Sequence, residues 1–139
     1  MLSVLHIENI AVIESADILF GPGFNALTGE TGAGKSIVVD AMSAVTGERA
    51  SRELIRTGAK SALVTGCFVG VERLPWFAEN GVGPDENGEL LLQREILPDG
   101  KNVCRVNGRP VTVAQLRRIG GALLNIHGPH DGQQLLSLI

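Results

Sequence analysis

Cysteine is scarce in this chain, and what there is forms no motif. Cys67 and Cys104 are the only two among 139 residues, in neither C-x-x-C nor metal-ligand spacing. A disulfide scaffold and a zinc module thus lack their residues. The pattern predicts two reduced, half-buried thiols in a reducing cytosol. Long apolar runs are missing too. No stretch approaches the roughly 20 residues of a membrane-spanning helix. The start, Met1-Leu2-Ser3-Val4-Leu5-His6-Ile7-Glu8-Asn9, alternates and takes a charge too early for a secretory leader. A cytoplasmic location with no membrane partner is the expectation. Charge of one sign is not in excess: the net charge is −3, so no basic field argues for nucleic acid. There is no internal repeat and no low-complexity tract. With 44% hydrophobic and 19% charged residues, the composition is that of one globular domain with a real core.

What is present is concentrated in Gly29-Glu30-Thr31-Gly32-Ala33-Gly34-Lys35-Ser36. This is G-x-x-x-x-G-K-[ST], a phosphate-binding P-loop. A polyphosphate needs several backbone N–H groups aimed at it from a tight curve. Gly29, Gly32 and Gly34 let the backbone turn and come close. The helix that follows adds its unpaired N–H groups and the positive end of its dipole. Lys35 supplies a mobile cation for the β- and γ-phosphates, and Ser36 a hydroxyl oxygen for Mg²⁺. Glu30, Thr31 and Ala33 contribute mainly backbone. The flanks agree: residues 24–28 read as a short buried strand, and residues 37–45 as an apolar helix ending at Gly47.

Around this motif, residues 2–10 read as a half-buried strand with one slip in phase, and residues 11–20 as a second strand stopped by Gly21-Pro22-Gly23. Residues 47–58 read as a charged surface connection with one helical turn. Residues 61–71 read as a strand interrupted by Gly66, at a bulge. Pro75 to Gly81 has the Pro-first, Gly-last form of a short helix, with Trp76 and Phe77 as core residues. An antiparallel hairpin region follows at about 89–111: strands at 89–97 and 102–106 flank Pro98-Asp99-Gly100, and Asn107-Gly108 turns into Arg109-Pro110-Val111. Thr112 is an N-cap for a helix at 113–119 closed by Gly120-Gly121, and residues 122–126 read as a buried strand. The apolar run at 135–139 carries no cap and is expected to be a cut end. His127 and His130 have a spacing open to metal, but no cysteine or carboxylate cluster joins them.

A P-loop binds phosphate, while hydrolysis needs an apolar strand ending in an Mg²⁺-binding carboxylate. None is convincing. Residues 122–126 end in His127, residues 90–92 in Gln93, and Asp40 lies on the P-loop helix itself. The chain thus reads as half of a nucleotide-hydrolysing site. Three other readings stand beside this one. A small nucleotide or metabolite kinase would need a lid of clustered arginines, and Arg117-Arg118 is the only adjacent pair. A non-catalytic interaction module would keep the loop as a relic. A transporter ATPase would carry its acidic strand in the same uninterrupted domain.

Residues 7–14 and 21–36, Gly47-Glu48-Arg49-Ala50-Ser51 with Leu54-Ile55-Arg56 and Gly58, Arg105-Val106-Asn107-Gly108, and Ile126-His127-Gly128 with His130 together resemble the SMC-like ATPases, a branch of the ABC ATPases. The resemblance covers nearly the whole chain. It implies an α/β fold, a P-loop NTPase of ABC/SMC type. Residues 1–139 would form the N-terminal lobe of the head, with an antiparallel β-subdomain and without the C-terminal acidic-strand half. It implies ATP and Mg²⁺ as ligands and a role in DNA double-strand-break repair and recombination, near the nucleoid. Hydrolysis would require the C-terminal half of the same head and head-to-head homodimerisation, with DNA bound by the full-length protein. Lys35 and Ser36 fall on the phosphate and Mg²⁺ positions, Lys35 being catalytic. Arg56 falls where such heads place an arginine near nucleotide or DNA. The glutamine loop, a catalytic and Mg²⁺-sensing element, falls at 127–134. There Pro129 replaces a glutamine of the family pattern, leaving Gln133 or its neighbour Gln134 to reach the metal. A missing half would also leave a sheet edge uncovered, so self-association is expected.

Overall fold

The computed structural model describes residues 2–19, 32–69 and 88–127, with the backbone alone described at 32–36 and 124–127. The first two strands, β1 (Leu2–Ile10) and β2 (Ile13–Leu19), form an antiparallel hairpin around Ala11-Val12. Then come α1 (Gly32–Val45), a single 3₁₀ turn (Arg52–Leu54) and β3 (Ala62–Phe68). The strands β4 (Leu90–Ile96), β5 (Asn102–Val106) and β6 (Arg109–Val111) lead into α2 (Val113–His127). All six strands join one antiparallel sheet in the order β2-β1-β3-β4-β5-β6. The expected strands at 24–28 and short helix at 75–81 lie outside the described residues.

Period-two alternation decides which face is buried. Leu5 and Ile7 of β1, Val64 and Phe68 of β3, Leu90, Leu92 and Ile96 of β4, and Cys104 and Val106 of β5 turn to one side. Val38, Ala41, Met42 and Val45 of α1 and Leu116, Ile119 and Leu123 of α2 pack on that side, forming a single core. The phase of β1 slips twice, not once. Ser3 is an extra residue, because Leu2 pairs with Phe68 while Val4 pairs with Cys67. Asn9 adopts φ 55°, which turns Ile10 into the core in its place. The 3₁₀ turn ties down the hairpin tip: Ala11 donates to the Leu54 carbonyl at 2.8 Å and Arg56 donates to the Asn9 carbonyl at 2.8 Å.

Turn chemistry follows the residues. Asp99 Oδ1 accepts from the Lys101 amide, and Gly100 takes φ 89° between β4 and β5. Asn107 and Gly108 take φ 48° and 82°, as a two-residue type I′ turn requires. The Asn107 side chain also accepts from the Leu91 amide at 2.7 Å, prolonging the ladder. At α2, Thr112 Oγ1 accepts from the Gln115 amide and Gln115 Oε1 accepts from the Thr112 amide, a reciprocal capping box.

Two readings of glycine are also corrected. Gly66 marks no bulge: it pairs in register with Leu5 and Leu92. A Cβ there would stand 3.1 Å from Phe68 Cε1 and 3.5 Å from Val45 Cγ1, so the glycine makes room for the Phe68 ring beneath α1. Gly120-Gly121 does not end a helix, and residues 122–126 are not a strand; α2 runs on to His127. The reason is packing. A Cβ on Gly120 would lie 2.0 Å from the Thr46 carbonyl oxygen, so this glycine is where two helices meet.

Candidate functional site

Gly32, Ala33, Gly34, Lys35 and Ser36 begin α1. The amino end of a helix leaves its first backbone N–H groups without intrahelical partners and carries the positive end of the dipole. No acidic residue lies in this first turn. An anion such as a nucleotide phosphate meets donors there and, within this first turn, no acidic residue, so this end fits the ligand that the motif implies. Gly29, Glu30 and Thr31 lie outside the described residues, as do His130, Gln133 and Gln134. His127 is the last residue of α2, so the proposed glutamine loop follows a helix rather than a strand. Asp40 is on the exposed side of α1. Arg56 is half-buried beside the 3₁₀ turn, its backbone amide bonded to β1.

The carboxyl end of α1 carries a second constellation that sequence reasoning missed. The helix closes in a Schellman motif: Glu48 donates to the Ser43 carbonyl at 3.0 Å, Gly47 donates to the Ala44 carbonyl at 3.1 Å, and Gly47 takes φ 93°. Thr46 Oγ1 donates back to the Met42 carbonyl at 2.9 Å. No basic residue lies in the last turn. The cations come from elsewhere. Arg94 of β4, only 2% exposed, donates through Nη1 to the Ala44 carbonyl at 2.8 Å and to the Glu48 carbonyl at 2.5 Å. Its Nε donates to Asn102 Oδ1 at 2.9 Å. Arg117 of α2 donates through Nε to the Gly47 carbonyl at 3.2 Å. Desolvation lowers the pKa of Arg94 from its ordinary value, and the neighbouring Arg117 charge adds to that. Guanidinium nonetheless stays protonated in proteins. Burial likewise pushes the Cys104 thiol up. The signal was available: in Leu90-x-Leu92-x-Arg94-x-Ile96 the arginine stands in the apolar phase.

The arrangement weakens the kinase reading. Arg117, half of the adjacent arginine pair that a lid would need, is tied to the end of α1. Among the described residues, no three His, Cys, Asp or Glu side chains gather as metal ligands. No described helix is long and apolar enough to cross a membrane.

A family profile described as an AAA domain matches residues 4–71. A solved SMC ATPase structure, concerned with ATP-driven dimerization and DNA stimulated activation, is 30% identical with a TM-score of 0.69, covering 87% of this chain and 78% of that one. The chain belongs to the SMC-like ATPases. Within them it is RecN-like. It is 47% identical over 140 residues to the DNA repair protein RecN of Bacillus subtilis (strain 168), covering 98% of this chain and 24% of that protein. Against RecN of Halalkalibacterium halodurans the identity is 43% over 139 residues, again with 98% and 24% covered. This RecN-like chain thus spans about a quarter of the length of the curated relatives it matches, and corresponds to the N-terminal part of an SMC-like head.

Proposed function

We propose that this chain is the ATP-binding part of a DNA double-strand-break repair and recombination ATPase acting in the cytoplasm at the nucleoid. The observation that carries this reading is the P-loop sequence running into the amino end of α1, in a chain that is RecN-like along 98% of its length. Residues 29–34 would wrap the phosphates with backbone amides. Lys35 would neutralise the β- and γ-phosphates, and Ser36 would ligate Mg²⁺. Gln133 would reach the metal from the segment after α2, and Arg56 would face nucleotide or DNA. Bound Mg²⁺–ATP supplies the phosphoryl group and the charge neutralisation for its transfer to water.

Hydrolysis then requires what the chain's sequence does not contain: the acidic strand of the C-terminal half and a second head closing over the nucleotide. DNA would be a partner of the whole protein. The test is ATP turnover by this chain alone and after mixing with the C-terminal segment of the same gene, with Lys35→Ala as control. Turnover only on mixing, abolished by Lys35→Ala, is the expected result. Equal turnover without the second half would mean that the chain carries its own catalytic carboxylate, and the split-head reading would fall.

A further inference from the structure

Arg94 is the one charged side chain buried among the described residues. Its neighbours along β4 on the same face, Leu90, Leu92 and Ile96, are apolar and fully buried. An aliphatic side chain would avoid desolvating a charge but would take this donor from Asn102 Oδ1 and from the Ala44 and Glu48 carbonyls. Apolar cohesion alone therefore does not account for an arginine here. What a guanidinium adds is direction. Its planar fork makes three bonds at once, to Asn102 within the sheet and to the Ala44 and Glu48 carbonyls on either side of the α1 terminus. The positive charge also sits at the negative end of the α1 dipole. Arg117 grips the same terminus from α2, and Gly47 and Gly120 bring the two helices into backbone contact there.

We propose that Arg94 is a positioning residue for nucleotide: by fixing the carboxyl end of α1 to the sheet, it sets where the amino end of the same helix, residues 32–36, meets the phosphates. This rests on the ATP-binding reading above. The lever is long. Fourteen residues of helix span about 21 Å, so a tilt of about 3° at the gripped end moves the far end by about 1 Å. Displacements of that size matter to groups that must converge on one ligand. Arg117 acts in the same sense through a single bond.

The test is the affinity of the chain for a fluorescent ATP analogue with Mg²⁺, measured where circular dichroism shows every variant folded. Binding by the native chain and its loss in Lys35→Ala establish the ATP-binding reading. Arg94→Met is then expected to weaken binding about tenfold, with Arg94→Lys recovering part of the loss. An Arg94 that merely stabilised the fold would lower the melting temperature and leave the affinity of folded molecules at the native value, and that result overturns the inference alone. A native chain that does not bind overturns the ATP-binding reading, and the inference with it. Should the Arg94 variants not fold, Arg117→Gln decides: a loss of about threefold is expected, and unchanged affinity overturns the proposal.

Discussion

The two ends of α1 draw their chemistry from different places. At the amino end the candidate phosphate-binding residues are consecutive in sequence, Gly32 to Ser36, with the rest of the motif just before them. At the carboxyl end the helix supplies only its own Schellman turn. The side chains that complete it come from Arg94, fifty residues along the chain, and from Arg117, seventy residues along. A ligand site that reads backbone amides can be written in one stretch. A terminus that must be held against both a sheet and a second helix has to recruit distant residues.

Substitutions at the carboxyl end test that contrast. The largest effect is expected from Gly120→Ala. The added methyl would meet the Thr46 backbone oxygen, which cannot swing aside as a side chain can. Overpacking of this kind costs about 3 kcal/mol at the upper end of its usual range. Thermal unfolding should show it as a markedly lowered midpoint, and a native-like midpoint would mean that α2 does not lie this close to α1. The adjacent Gly121→Ala sharpens the comparison by having the opposite sign. Nothing lies within 4 Å of a Cβ built there, so the change should stabilise α2 by about 0.5–1 kcal/mol. Destabilisation would mean that residue 121 is not an open helical position.

The smallest effect is expected on the face of the sheet opposite the core, away from both ends of α1. His6 Nδ1 pairs with Asp17 Oδ1 and His6 Nε2 lies 3.3 Å from Glu8 Oε1. The hydrogen bond to Asp17, chiefly, holds the His6 pKa above 6.5, with burial opposing it and Glu8 assisting. A raised value means that the folded state favours the imidazolium. The contribution is full below the unfolded pKa of about 6.5 and is lost as pH rises through the higher folded value. The pair is partly exposed, so its worth is under about 1 kcal/mol. Relative to His6→Asn, the native chain should gain melting temperature at pH 6 and lose that advantage by pH 8. A constant difference across that range would remove the charged pair from the account.

How legible the molecule was in its sequence follows the same division between local and distant. Thr112 with Gln115, Asp99-Gly100 and Asn107-Gly108 act within a few residues of themselves, and each formed the cap or turn that its chemistry dictates. The helix after the P-loop was expected at 37–45; it ends where expected and begins five residues earlier, at Gly32, inside the motif. Gly66 and Gly120 were misread because a glycine looks alike whether it breaks an element or admits a neighbour. Only the Phe68 ring in one case, and the Thr46 carbonyl in the other, tells the two uses apart. Arg94 was passed over because its partners, the Ala44 and Glu48 carbonyls, are backbone atoms with no signature in the sequence.

The place of β1 within the sheet governs the order of events at the ribosome. The first strand of the chain lies between β2 and β3, and Leu5 pairs with Gly66. β2 emerges almost at once and covers one flank of β1. The other flank must wait for β3, which at about 5–20 residues per second takes roughly 3–12 s. For that interval β2 is the one described strand paired with β1, and α1, made before β3, is the one described helix that can cover Leu5 and Ile7; a two-stranded hairpin is marginal at best in water. A nascent chain halted before residue 62 should accordingly remain open to protease at its first strand, and one carried past residue 96, with β4 added, should close.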